Sequence, residues 1–593
     1  MKIYVLSVVF TVGLMVPLLG QQSKFLFDFA GDSSVQEHLR DVNKKIKDTT
    51  RIFSAIPQSP EYLQETVTAS QHFPYPVIFI HGLLGSADTW AGFYNYALSQ
   101  GWSYGGQILF NLNSDNNLYY SNITNTSTSD IVDFNNNLPA ADFYLVNFNC
   151  STDGTPYGEN YNTPTQSNQA AIFKQGIAVS KAVGHVMTAT GKNKVILLGH
   201  SMGGLAARQY LQNPYLWQPD NEHHVAKVIT SGTPHGGSNV SFPGISSLVG
   251  IDEGSDAVRD LRESYFYSGE QGVFLYGGLE NAAIMNDRFA GFYNYDVNCN
   301  GITGNQVVGL NQKSISTDLD FACIIGDWTF DFLGGDLVVG LYEAQLKSYY
   351  SGLVSETFEI DAFHIEMPAY TKSNYEALDE PDYYDISYDI EKNQYYNGFI
   401  TLQAPDAEYS TIDYDDYVFQ TQQTGLVSVV VDNVFALPLG VSILGYPNLN
   451  YVFNQSFYSS SFQTQAIQLP AGTYYLEFYA VPTSSSWEYP YEFRVEWTPV
   501  TPSSVESIYS DINVKIAPNP TNGLVNMSVR TDLKTTGVIK VIDRLGKEVY
   551  RSSFEGLGID EVLDLHLCPD GVYFIYVITE SGFFSSKLLK SSN

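Results

Sequence analysis

Cysteine is scarce, with four residues in 593: Cys150, Cys299, Cys323 and Cys568. That number excludes a disulfide scaffold, and the lack of any C-x-x-C pair argues against a zinc ribbon. Cys299 and Cys323 lie close in sequence and are the pair expected if a bridge forms; four free buried thiols are the other expectation. Positive charge is scarce too. Thirty Lys and Arg stand against 63 Asp and Glu, a net charge of −33. Such a surface repels nucleic acid and anionic lipid, so neither is an expected partner, and the excess acid favours solubility. Long apolar runs are few. After residues 3–19 no segment reaches membrane-spanning length without charges or breakers, so no stable span is expected in the mature chain.

Lys2, the apolar run Ile3–Leu19, Gly20 and the polar Gln21-Gln22-Ser23 read together as a cleavable export signal over residues 1–20. A chain of 593 residues exceeds one hydrophobic core, so several domains are expected. Residues 21–71 are polar, with a helical stretch near Val35–Ile52. Over residues 72–380 short apolar runs alternate with helical patterns, which predicts an α/β domain with a parallel sheet. The strand candidates are Pro76–Ile80, Asp142–Phe148, Lys194–Leu198, Val225–Ser231, Phe321–Gly326 and Val354–Asp361. Helices are predicted over Gln166–Thr188 and Gly203–Gln212. Residues 107–138 are rich in Asn and Ser and read as a surface insertion; 236–306 lose the core pattern and read as an inserted cap. Phe242, Phe266, Tyr267, Phe274 and Phe292 of that cap are candidates for an apolar acyl pocket or for plain packing.

Helical signals stop near Asp379. Short alternating strands then predict an all-β sandwich over 381–498, a linker at 499–510 and a second small β unit over 511–593.

The chemistry centres on Gly199-His200-Ser201-Met202-Gly203-Gly204. The motif follows an apolar strand and opens a helix, the setting of a nucleophile elbow. Gly199 and Gly203 flank Ser201 because the turn leaves no room for side chains there. An oxyanion needs two aligned N–H donors. They are expected from Met202, just after Ser201, and from Leu83, in the His81-Gly82-Leu83 turn that ends the first strand.

Residues 75–370 resemble the bacterial lipase and esterase branch of the α/β-hydrolase superfamily. The likeness rests on Pro76-Val-Ile-Phe-Ile-His-Gly-Leu-Leu-Gly-Ser86, on the elbow, and on Thr230-Ser-Gly-Thr-Pro-His-Gly-Gly-Ser238. It implies an α/β-hydrolase fold with a cap, followed by the two small β domains, and a triad in the order Ser, acid, His. Within that order Asp336 ranks first as the acid, then Asp327, then Asp331. His364 is the expected base, since it follows the last core strand, whereas His235 precedes every candidate acid and fits a turn. The implied reaction is hydrolysis of an ester or lipid through an acyl-enzyme, with no cofactor required. An acyltransferase or amidase would use the same residues, and an inactive surface binding protein would keep the fold alone. Some lipases of this branch hold a structural calcium ion; no matching ligand motif is found in this sequence, and calcium stays open as a structural ion.

Asp413-Tyr-Asp-Asp-Tyr-Val-Phe419, Leu469-Pro-Ala-Gly-Thr-Tyr-Tyr475 and Tyr491-Glu-Phe-Arg-Val495 resemble the bacterial pre-peptidase C-terminal sandwich. Ala517-Pro-Asn-Pro520, Gly523, Gly571-Val-Tyr573, Gly582 and Lys587-Leu-Leu-Lys590 resemble the type IX secretion sorting domain of Bacteroidetes. The latter implies type IX machinery as a partner through 511–593, and a product released or held at the outer-membrane surface.

Overall fold

A computed structural model describes Ile56 and residues 72–112, 131–134, 137–151, 153–156, 169–238, 256–261, 278–279, 306–307, 309–328, 334–401, 412–435, 438–480, 490–500, 512–544, 546–579 and 583–591. The described residues divide between two compact units, within Met1–Gln422 plus Leu426–Trp497 and within Gln423–Gly425 plus Thr498–Asn593. The expected export signal, the helix near Val35–Ile52, most of the cap and most of the linker lie outside the described residues.

The first unit is built on an eight-stranded sheet. In chain order its strands are β1 (Val77–Ile80), β2 (Tyr104–Asn111), β3 (Val132–Asp133), β4 (Phe143–Asn147), β5 (Val195–His200), β6 (Val225–Ser231), β7 (Asp320–Gly326) and β8 (Glu356–Ile360). They lie in the order β8-β7-β6-β5-β1-β4-β2-β3. All pairs are parallel except β2 with β3. A parallel sheet buried on both faces reads as a continuous apolar run, which is why Val77–Ile80 is visible in the sequence. Alternate side chains serve different cores. Val77, Phe79, Ile196 and Leu198 face one, whereas Ile78, Ile80, Val195 and Leu197 face the other. Helices α1 (Ala91–Ser99), α2 (Ile172–Thr190) and α3 (Met202–Leu211) supply the apolar faces that cover them.

One expectation is overturned at β2. Residues 104–111 form a buried core strand, not the start of a surface insertion. Gln107 and Asn111 hide it by composition. Both are buried, Gln107 bonding to the Ile56 carbonyl and to Asn147, Asn111 to the Cys150 carbonyl. A buried amide is tolerated when its partners are protein groups. A second expectation also fails. Cys323 is a free, buried thiol packed against Thr230 and Ser355, not half of a bridge to Cys299; Cys299 itself lies outside the described residues.

The β-sandwich has two sheets. The strands in chain order are β9 (Tyr388–Asp389), β10 (Tyr396–Gly398), β11 (Asp413–Thr421), β12 (Gly425–Asp432), β13 (Leu439–Gly445), β14 (Asn450–Phe457), β15 (Phe462–Gln463), β16 (Ile467–Leu469), β17 (Gly472–Ala480) and β18 (Tyr491–Pro499). One sheet runs β9-β11-β17-β13-β14, the other β10-β18-β12-β15, with β16 on β12. Strands β13 and β14 escape the sequence reading; β14 is polar and largely exposed, so it carries no apolar alternation. The strand expected at Gly398–Leu402 ends at Gly398 instead, and Phe399 leaves the ladder to pack on Phe73 and Tyr375 of the hydrolase-like part. Sandwich and parallel sheet thus share one continuous core.

That shared core buries an unusual number of acids. Asp379, Glu380, Asp413 and Asp415 are all about 1% exposed or less. Nearby Lys227, fully buried on β6, pairs with Asp320 at 2.6 Å and Glu356 at 3.2 Å and donates to the Asp379 carbonyl. Burial disfavours its charge, yet Asp320 and Glu356 hold its pKa well above the ordinary value. Burial, reinforced by neighbouring carboxylates, pushes Asp379, Asp413 and Asp415 far upward. Burial likewise pushes Glu380 up to about 8. A raised folded pKa means the native state holds a proton that the unfolded chain has released. Stability from these groups is full below the unfolded carboxylate pKa and is lost as pH rises through the folded value. Each contributes a slope of about −1.4 kcal/mol per pH unit in that window. The thermal midpoint of the first unit, followed with EDTA present, is therefore expected to fall steadily from pH 6 to pH 9. A midpoint that stays flat or rises over that range would show that these carboxyls are ionised in the fold.

The second unit is one five-stranded antiparallel sheet: β19 (Ile512–Ala517), β20 (Leu524–Asp543), β21 (Glu548–Asp564), β22 (Gly571–Thr579) and β23 (Phe583–Lys590). Val525, Val529, Ile539, Val541, Ile575, Val577 and Leu588 form its buried row. The expected run Val538–Ile542 proves to be part of the 20-residue β20.

Candidate active site

Ser201 stands at the reversal between β5 and α3, with φ 54° and ψ −127°. A non-glycine residue held there is strained and needs enforcement by its surroundings. The enforcement is local. A Cβ on Gly199 would lie 2.4 Å from the Gly204 nitrogen, and one on Gly203 would lie 2.3 Å from the Ile80 carbonyl oxygen. The turn closes only because both are bare. Ser201 N–H donates to the Ser231 carbonyl at 2.8 Å, tying the turn to the end of β6.

Three elements far apart in sequence meet above the C-terminal edge of the sheet. Ser201 Oγ lies 2.9 Å from His364 Nε2. His364 Nδ1 lies 2.7 Å from Asp336 Oδ2. A carboxylate only accepts, so Nδ1 carries the proton and Nε2 is left to accept from the hydroxyl. Asp336 is 1% exposed and is itself held, its Oδ1 accepting from Val338 N–H at 2.9 Å and Val339 N–H at 2.7 Å. The Asp336 carbonyl also accepts from His364 N–H at 3.2 Å. Asp327 sits at the end of β7 with its N–H on the Ile360 carbonyl, and its side chain does not join this chain of bonds. Asp331 lies outside the described residues, as do Phe242, Phe266, Tyr267, Phe274 and Phe292. His235 is fully buried against Arg208 and Thr230, away from Ser201.

The turn after β1 presses on the serine. A Cβ on Gly82 would lie 2.6 Å from Ser201 Cβ and 3.1 Å from its Oγ. Leu83 follows, and among the described residues neither its N–H nor that of Met202 has a hydrogen-bond partner. Two features here escaped the sequence reading. His81 is fully buried; its Nε2 accepts from Phe148 N–H at 3.0 Å, so Nδ1 donates to the Gly82 carbonyl at 2.9 Å. That bond fixes the plane of the Gly82–Leu83 peptide and so the aim of the Leu83 N–H. Burial lowers the His81 pKa to about 4, which keeps this ring neutral. His200 is the second. Its Nε2 donates to the His364 carbonyl at 2.9 Å and its ring packs 5.0 Å from that of His364. Burial first, and His364 second, lower its pKa to about 3. Both histidines lie within the strand-end motifs, but their tautomers depend on groups 67 and 164 residues away, beyond any local signal.

Gly232 and Gly326 were also missed. A Cβ on Gly232 would lie 3.1 Å from His364 Nδ1 and 3.2 Å from Asp336 Oδ2, and one on Gly326 would lie 2.7 Å from Asp336 Cβ. These glycines make room for the acid and the imidazole. As for metals, Asp379, Glu380 and Asp415 bring carboxylate oxygens within 4.8 Å of one another, an all-oxygen set of the kind hard cations take. They lie in the shared core and not beside Ser201.

A family model described as the PGAP1-like alpha/beta domain matches residues 74–247. Another, the secretion system C-terminal sorting domain, matches residues 515–591. Among solved structures, a Listeria innocua gene product is 14% identical, covering 52% of this chain and 95% of that one at a TM-score of 0.30. A lipase-esterase related protein from Clostridium acetobutylicum is 11% identical, covering 52% and 95% at 0.26. The pre-peptidase C-terminal domain of a Bacillus anthracis collagenase is 16% identical, covering 18% and 92% at 0.15. The N-terminal domain is thus a PGAP1-like α/β-hydrolase domain, which supports a hydrolase. The sorting domain makes the chain a type IX substrate, secreted or carried to the cell surface of a Bacteroidetes-type bacterium. No helix among the described residues is long and apolar enough to cross a membrane.

Proposed function

We propose that this protein hydrolyses carboxylic esters, with Ser201 as nucleophile, His364 as general base and acid, and Asp336 as the group that orients His364. The observation that carries the reading is the unbroken chain of bonds, 2.9 Å from Ser201 Oγ to His364 Nε2 and 2.7 Å from His364 Nδ1 to Asp336. Ser201 Oγ attacks the acyl carbonyl as its proton passes to His364 Nε2. Asp336 stabilises the imidazolium that forms. The N–H groups of Leu83 and Met202 receive the oxyanion, Met202 with the help of the positive end of α3. The alcohol leaves with the proton from His364, and water, activated by the same ring, releases the acid and restores Ser201. His81 and His200 act as positioning residues through their backbone partners. In this reading 72–380 is the catalytic domain with its cap at 236–306, 381–498 the sandwich, 499–510 the linker and 511–593 the sorting unit.

Turnover of p-nitrophenyl esters with acyl chains of two to sixteen carbons tests this directly. Hydrolysis is expected, and its chain-length profile separates an esterase from a lipase. If no ester turns over and Ser201 resists a fluorophosphonate, the surface binding-protein reading replaces this one.

A further inference from the structure

The outward face of the sandwich carries a second constellation, away from Ser201. On β11 and β17, Asp416 stands directly opposite Glu477, and Tyr414 directly opposite Tyr479. Two carboxyls facing each other across a ladder destabilise it whenever both are ionised, and among the described residues that line this face none is basic. A cavity of about 470 Å³ opens here, lined by Asp382, Tyr384, Tyr414, Asp416, Tyr451 and Glu477 among others, with no Lys, Arg or His. That volume is in the range of a small-molecule site.

The acids are withdrawn from water. Asp416 is 1% exposed and Glu477 6%. Glu477 has a partner in the Tyr384 hydroxyl. Asp416 Oδ1 is buried with no hydrogen-bond partner. Asp416 also lines the cavity, and a buried carboxyl oxygen without a partner is costly unless a donor arrives. Burial, then Glu477 and Asp382, push the Asp416 pKa up to about 8, so the empty site holds a proton at neutral pH, and a bound positive charge takes that proton's place. The aromatic walls are arranged around the same space. The Tyr414 and Tyr479 rings lie 6.0 Å apart, and Gly440 on β13 lets Tyr479 lie flat, since a Cβ there would be 2.1 Å from that ring. Tyr479 is pinned by its hydroxyl on Asn454 Oδ1 at 3.1 Å.

Ring faces attract cations, and carboxylates accept from N–H donors. A bare metal ion fits less well, because the three carboxylates that converge within 4.8 Å are Asp379, Glu380 and Asp415, not this set. A quaternary ammonium would leave Asp416 Oδ1 unsatisfied, having no N–H. We propose that this cavity binds a primary alkylammonium group of the size of a lysine side chain, with its N–H donors on Asp416 and Glu477 and its methylenes against Tyr414, Tyr451 and Tyr479. The site is independent of the ester chemistry.

Calorimetric titration of the full chain with N-α-acetyl-lysine N-methylamide tests this. Saturable binding is expected, weakened about tenfold or more in Asp416→Asn and in Glu477→Gln by loss of a charge-assisted hydrogen bond. Both substitutions keep the side-chain shape, so the thermal midpoint and ester turnover are expected to hold. Should one variant fail to fold, the other carries the comparison. Choline and glucose serve as the quaternary and neutral probes. No saturable heat with the lysine amide, equal binding by both variants, or tighter binding of choline or glucose than of the lysine amide would each overturn the assignment.

Discussion

Replacing Ser201 with alanine is expected to lower ester turnover by a factor on the order of 10⁵ to 10⁶, leaving only what the oxyanion donors and substrate binding supply. The reason is geometric. His364 Nε2 has Ser201 Oγ as its acceptor-side partner at 2.9 Å, and alanine leaves nothing to deprotonate. Labelling by a fluorophosphonate should vanish with it. The fold should not, since the strain at Ser201 is enforced by Gly199, Gly203 and the bond from its N–H to Ser231, all of which alanine retains. A variant that still labels and turns over would place the nucleophile elsewhere and remove the basis of the proposed mechanism.

Replacing Asp336 with asparagine is expected to lower turnover by about 10⁴ with little change in stability. The hydrogen bonds around the side chain dictate how the amide must sit. Oδ1 accepts from the N–H groups of Val338 and Val339, so the amide oxygen keeps that place and the NH₂ turns to His364 Nδ1. A donor there forces the imidazole proton onto Nε2, where it faces the Ser201 hydroxyl and blocks its deprotonation. Asp327→Asn is the control and should leave turnover unchanged. Loss of activity in Asp327→Asn with full activity in Asp336→Asn would reverse the roles given to these two acids. Equal loss in both, with lowered thermal midpoints, would mean that the damage is structural.

These expectations draw unequally on sequence and fold. The strands Val77–Ile80 and Val195–His200 were legible because a strand covered on both faces has to be apolar throughout. The reversal at Ser201 was legible because its steric demand is local, met by two glycines within two residues on either side. Strand Tyr104–Asn111 was not. Its buried Gln107 and Asn111 are satisfied by Ile56, Asn147 and Cys150, and partners that distant leave no mark on the strand's own pattern.

By itself, then, the sequence determined the parallel α/β core, the elbow at Ser201 and the chain order in which an acid and a histidine follow it. Apolar periodicity suffices for the first and local sterics for the second; the third is what the resemblance to the lipase and esterase branch implies. Only the tertiary structure decided that Asp336 and not Asp327 meets His364, that His81 and His200 are held in single neutral tautomers, and that Asp379, Glu380 and Asp415 leave water for a core shared by sheet and sandwich. Those outcomes turn on distances of about 3 Å between residues tens to hundreds of positions apart, and on burial, which sets a carboxyl's protonation and is a property of the packed chain alone.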